Sequence, residues 1–116
     1  MTEYFYATDG WKHYKDLEKA QKDMFQAFRN FNNEIFEKES ALPRKMKELI
    51  AIGVAHTTQC PYCIDGHVRA AKKAGASDQE IAEAVFVAAA LRAGGAFAHS
   101  TIAMRALDEA KEEKQK

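Results

Sequence analysis

Cys60-Pro61-Tyr62-Cys63, followed by His67, is the local motif of this 116-residue chain whose residue types and spacing could do chemistry. Pro61 suits the first position of a helix, because its missing N–H is one that a helix start leaves unbonded. Cys60 then becomes the N-cap and Cys63 falls in the first turn, so the two sulfurs can meet across that turn. The partial positive charge at a helix N-terminus favours a thiolate and lowers a thiol pKa from its free value of about 8.5. His67 lies one turn beyond Cys63 on the same face, where its imidazole can take the Cys63 proton or stabilise the thiolate. Ala70, Ala71 and Ala74 continue that face, which predicts a site turned inward and sheltered.

Three uses compete for these residues. A pair of buried thiols would be structural, which leaves His67 and the N-terminal placement as coincidences. A zinc site fits the C-x2-C ligand spacing with His67 as third donor, and its fourth would come from Glu48, His56 or His99. A dithiol–disulfide couple uses both thiols and the imidazole. A c-type haem attachment is excluded, because Ile64 rather than a histidine follows Cys63. Glu48 lies on the segment that leads into the motif and is the last charged residue before the apolar stretch Leu49–Ala55. Projected into the core beside His67, its carboxylate would orient the ring; on the surface it would pair with Arg44 and Lys45.

The elements that must position these groups read as helices throughout. Residues 1–10 carry three aromatics and a Thr8-Asp9-Gly10 turn, an arm before the first helix. Trp11, Tyr14, Leu17, Ala20, Met24, Phe28, Phe31 and Ile35 keep a three-and-four spacing, which predicts one long amphipathic helix with a buried aromatic stripe. Lys12, Lys15, Asp16, Lys19 and Lys22 form its solvated side. Pro43 opens a second helix to Thr57, apolar nearly all round and so central. Pro61 opens a third, which Gly75 stops near Ala74. Ser77-Asp78-Gln79-Glu80 is a capping box for a fourth, ending at Gly94-Gly95. A fifth, from Ala96 to about Glu112, buries Phe97, Ile102, Ala103, Ala106 and Ala110, and residues 111–116 form a solvated tail.

Composition agrees with one all-α domain spanning residues 1–116. Hydrophobic residues make up 47% and charged ones 29%, which disfavours disorder. Seventeen basic residues balance seventeen acidic ones, against a dedicated nucleic-acid binder. The start is polar and acidic, unlike a signal peptide, and the longest apolar run, Ala84–Leu91, falls short of a membrane span. These features predict a cytoplasmic protein with no membrane partner, in which two cysteines serve metal or redox chemistry. The all-round apolar Ala84–Leu91 stretch either faces another subunit or is buried within one chain.

Glu48, eleven residues, Cys60-Pro61-Tyr62-Cys63, three residues and His67 together resemble the E-x11-C-x-[TY]-C-x3-H signature of AhpD-like alkylhydroperoxidases in the carboxymuconolactone decarboxylase superfamily. The resemblance covers about Pro43 to Ala110. It implies an AhpD-like helical bundle of about five helices with the CxxC at a helix N-terminus. It also implies a thiol-dependent hydroperoxide reductase in which Cys63 is peroxidatic and Cys60 resolves the sulfenic acid as a disulfide. His67 and Glu48 would relay protons, and Tyr62 occupies the aromatic-or-Thr position, either supporting the relay or packing over the cysteine turn. The N-cap favours Cys60 as the reactive thiol and His67 favours Cys63; a specific base outweighs a dipole that also reaches the first turn.

No cofactor is expected to be bound, since no G-x-G-x-x-G follows a strand, and no metal. Electrons would come from an external dithiol, by family precedent a lipoyl-type donor, and the chain would work as a homo-oligomer, a trimer or hexamer. Other classes open to the chain are a general disulfide oxidoreductase, a redox-controlled oligomer, a metal-binding module and a decarboxylase-type lyase, which would share the fold without needing the CxxC. Elsewhere, His56 could enlarge the relay or end its helix, and His99 could face the same cavity. His13 reads as solvated and Asp65 with Arg69 as an i,i+4 pair, while Trp11 should anchor the first helix.

Overall fold

A computed structural model of the protein describes residues 6–7 and 9–115, so most of the arm expected at residues 1–10 lies outside the described residues. A 3-10 turn, Gly10–His13, leads into α1 (Tyr14–Ala20) and α2 (Lys22–Phe36); α3 (Arg44–Thr58), α4 (Pro61–Lys73) and α5 (Asp78–Gln115) follow. Among the described residues there is no strand, so the all-α expectation of about five helices holds.

Two boundaries differ from the sequence reading. The expected long helix is broken at Gln21, whose backbone leaves the helical region at φ −148°, ψ 74°. Good helix formers surround Gln21, so local propensity does not cause the break. Tyr14 and Phe25 would stand about 16 Å apart along a continuous helix, whereas here their ring centroids lie 6.3 Å apart. The opposite error falls at Gly94-Gly95. They take no positive φ, and the two expected helices form one of 38 residues. Each glycine costs about 1 kcal/mol relative to alanine in a helix, and the Ala-rich flanks carry the helix through.

α3, α4 and the first part of α5 form the packed unit. Ile52 of α3, Ala71 of α4 and Ala76 of the following turn make the buried cluster, flanked by Leu49, Val68, Ile81, Ala84 and Val85. The turn into α5 follows the sequence closely. Gly75 takes φ +94°, the Ala76 N–H reaches the Ala71 carbonyl, and the Ser77–Glu80 capping box closes in both directions at 2.9 and 3.0 Å. Lys47 donates to the carbonyls of Ile35 and Lys38, fastening the end of α2 to α3.

Much apolar surface stays uncovered. The aromatic stripe expected to be buried is exposed at Trp11, Tyr14, Met24, Phe28 and Phe31, and so are Phe97, Ile102, Ala103, Ala106 and Ala110 of α5. For α5 the physical reason is reach: α3 is 15 residues long and α5 is 38, so about 35 Å of α5 extends beyond the length of α3 at 1.5 Å per residue. Glycine-spanning continuity also changes the hydropathy reading. α5 is long and apolar enough to cross a membrane by length and composition alone, although Arg92 ends its longest apolar run. Its first part packs on α3 instead.

Candidate redox site

The turn between α3 and α4 sets the site. Thr58 ends α3, Gln59 takes the left-handed conformation at φ 59°, and the Cys60 N–H donates to the Ala55 carbonyl at 3.1 Å. This reversal leaves Cys60 extended as the N-cap of α4 with Pro61 at its first position, as the sequence predicts. The Cys60 Sγ accepts the Cys63 N–H at 3.3 Å, so one orphan donor of the helix start is satisfied by sulfur. Both cysteines are free thiols. Cys60 is partly buried, but Cys63 is exposed, not sheltered as its helix face suggests. Along that face Ala71 is buried, His67 is partly buried and Cys63 is exposed.

The two thiols differ electrostatically. Hydrogen bonds from Cys63, chiefly from its side chain and then its backbone N–H, hold the Cys60 thiol below the ordinary range. Cys63 is pushed up to about 11, first by its hydrogen bond to Cys60, then by burial and the Cys60 charge. Of the two thiols, Cys60 is therefore the one that ionises first and Cys63 the one that holds its proton longer.

Glu48 enters the core. It is 1% exposed, and each carboxylate oxygen has its own partner: Arg44 Nε donates to Oε1 at 2.7 Å, and His67 Nδ1 lies 2.6 Å from Oε2. A carboxylate on Nδ1 holds the proton there and leaves Nε2 as the nitrogen able to accept another. Phe36, at the end of α2, packs its ring on His67 with centroids 5.1 Å apart, while the Arg44 guanidinium stands 5.9 Å from the same ring. The imidazole is thus fixed by an in-plane bond and a face contact. Cys63 and His67 both line a groove of about 440 Å³ whose other walls include Ile35, Phe36, Leu42, Ile50 and Val54.

The remaining candidates lie elsewhere. Tyr62 is turned from the Glu48–His67 pair and meets Tyr6 edge to face at 5.1 Å, in a cleft shared with Trp11, Tyr14, Asp65 and Gly66. Trp11 lines that cleft and is exposed, rather than anchoring a long helix. His56 Nδ1 is bonded to the Ile52 carbonyl and His99 Nδ1 to the Gly95 carbonyl, each within its own helix. His13 faces Asp16 on the surface, and Asp65 pairs with Arg69. Among the described residues no three His, Cys, Asp or Glu side chains are grouped to hold a metal. Sequence reasoning missed Phe36, which sits one residue off the apolar stripe, and treated Arg44 as a surface partner; its i,i+4 spacing to Glu48 was the available signal.

The family model of the carboxymuconolactone decarboxylase family matches residues 22–106. Uncharacterized protein 4 in cox locus of Paracoccus denitrificans is 44% identical over 94 residues, covering 81% of this chain and 84% of that protein. Uncharacterized protein YdfG of Bacillus subtilis is 40% identical over 48 residues, 41% of this chain and 33% of its own length. A crystal structure of a protein from Methanobacterium thermoautotrophicum superposes with a TM-score of 0.68 at 30% identity, covering 74% of this chain and 96% of that one.

Proposed function

The chain belongs to the carboxymuconolactone decarboxylase family, and from that premise we propose that it is a thiol-dependent hydroperoxide reductase acting through Cys60 and Cys63. The observation that carries this reading is the bond between His67 Nδ1 and buried Glu48 at the groove that Cys63 lines. A decarboxylase needs no pair of thiols, whereas a peroxidase that closes an internal disulfide uses two thiols and a proton relay together.

Cys63 gives its proton to His67 Nε2 and its sulfur attacks one peroxide oxygen. The O–O bond breaks, the departing alkoxide takes the proton from His67, and Cys63 is left as a sulfenic acid. The Cys60 thiolate then attacks the Cys63 sulfur; the S–O bond breaks and hydroxide leaves as water with a proton supplied through His67. The Cys60–Cys63 disulfide is returned to two thiols by an external dithiol, lipoyl-type or similar, which becomes the disulfide. Glu48 acts through His67, holding Nδ1 so that Nε2 stays the working nitrogen. Tyr62 supports the cysteine turn through packing on Tyr6. Cytoplasmic placement suits two thiols that must be kept reduced.

A second assignment of the same chemistry rests on the lowered pKa of Cys60, which favours Cys60 as the first nucleophile. Trapping the sulfenic acid with dimedone after one equivalent of peroxide separates the two. Adduct on Cys63 in the Cys60→Ser variant, with none on Cys60 in Cys63→Ser, is the expected pattern; the reverse exchanges the roles. Absence of any Cys60–Cys63 disulfide after peroxide treatment of the wild type rejects the function.

A further inference from the structure

We infer that Lys47 is a positioning residue of the redox site: by holding the carbonyls of Ile35 and Lys38, it keeps the Phe36 ring on the face of His67. The effect on turnover rests on the hydroperoxide reductase reading; the hold on the imidazole does not.

The end of α2 lacks a cation of its own. The last carbonyls of a helix carry the negative end of its dipole and find no partner within it. The Glu37 N–H serves the Asn33 carbonyl at 2.8 Å, but no basic residue lies in the last turn of α2. Lys47 of α3 supplies the charge instead, its Nζ donating to the Ile35 carbonyl at 2.6 Å and to the Lys38 carbonyl at 3.1 Å. The short connector 37–43 keeps the end of α2 near α3, yet it contains no regular element that would fix an orientation. Among the described residues, no broad helix-on-helix packing joins α2 to the unit of α3, α4 and α5. Arg44 reaches Glu37 at 3.7 Å, but both side chains are exposed, and such a pair contributes little. A charged donor shared by two carbonyls is the stronger link.

Neighbouring residues of α3 therefore hold the imidazole in two directions. Successive side chains of a helix point about 100° apart, so Glu48 enters the core while Lys47 reaches across to α2. Glu48 binds His67 Nδ1 in the plane of the ring. Phe36 follows Ile35, whose carbonyl Lys47 holds, and its ring meets the imidazole at 5.1 Å with the planes 32° apart. Lys47, Ile35, Phe36 and His67 line the same groove as Cys63. With the two carbonyls released, the last turn of α2 frays as helix ends do, and the face contact goes with it. Only the in-plane bond then aims Nε2, and a small misplacement of a proton acceptor costs rate while every reacting group is still present.

The test compares Lys47→Met, which keeps the stem and loses the ammonium, with Lys47→Arg, Phe36→Ala and the Lys47→Met/Phe36→Ala double variant. The His67 ring resonances, assigned by their loss in His67→Ala, report the Phe36 contact without any turnover. Lys47→Met should move them at least half of the way to their Phe36→Ala positions and lower peroxide turnover about tenfold. Lys47→Arg keeps the charge and can donate to both carbonyls, so it should return resonances and rate most of the way. In the Phe36→Ala background, Lys47→Met should change neither, because the contact it acts through is already gone. Unmoved His67 resonances in a folded Lys47→Met protein, or losses that add in the double variant, overturn the inference. If Lys47→Met fails to fold, Lys47→Gln, a neutral and shorter donor, is read in the same way. Moved resonances in a protein that consumes no peroxide support the hold on His67 and refute the peroxidase.

Discussion

Glu48 and His67 are 19 residues apart in the chain, on different helices, and 2.6 Å apart in the fold. The contact spans α3 and α4, so it exists only when the Gln59 turn brings the two helices side by side. A carboxylate that is 1% exposed and bonded at both oxygens is there for orientation as much as for charge.

Replacing this carboxylate tests that role. Glu48→Gln keeps the shape and loses the charge, and its single amide oxygen can accept from Arg44 or from His67 but not from both. Stability in urea should fall by about 1–3 kcal/mol, and peroxide turnover should fall further than Kd-like saturation behaviour changes. His67→Ala removes the proton acceptor itself and should slow turnover about 100-fold or more.

Phe36 should act through His67. Phe36→Ala removes the face contact on the imidazole, so the expected effect is a lowered kcat with a broadened or shifted pH profile. Phe36→Tyr should restore most of the rate, and both profiles are read from initial rates between pH 5 and 9. Equal, pH-independent losses in the two variants would mean that the ring only fills space.

Thiol titration should show two separate steps. Cys60 ionises first, below the ordinary thiol range, because Cys63 donates to it, and Cys63 ionises near pH 11. The sign of the coupling predicts that Cys60→Ser lowers the Cys63 pKa, since its largest raising influence disappears and burial alone remains. Thiolate absorbance near 240 nm, followed against pH in the wild type and both serine variants, measures all three values.

Two left-handed backbone positions should respond with opposite signs. Gln59, at φ 59°, bears a side chain where glycine is easier, so Gln59→Gly should stabilise the protein by up to about 1 kcal/mol. Gly75, at φ +94° with open space around a built Cβ, should lose about 1 kcal/mol or more as alanine, from backbone strain alone. Chemical denaturation of the two variants gives both numbers.

What the sequence disclosed was local chemistry. Pro61, Gly75 and the Ser77–Glu80 box carry their instructions within one turn, and each is read correctly. The CxxC at the N-terminus of α4 follows from the same rules. Gln21 and Gly94-Gly95 were misread because the outcome there depends on more than residue type: Tyr14 approaches Phe25 across the first, and a long Ala-rich helix absorbs the second. Periodicity located the apolar faces of α2 and α5, but it does not say whose surface covers them. Phe36 escaped notice for a related reason, since its partner His67 is 31 positions away and no spacing rule links the two.

The decisive measurement is steady-state consumption of a small hydroperoxide with a dithiol reductant, comparing wild type, Cys63→Ser, Cys60→Ser and the double variant. The wild type should turn over, Cys63→Ser should be inactive, and Cys60→Ser should perform a single stoichiometric oxidation and stop. Sustained consumption by the double variant would contradict the account outright.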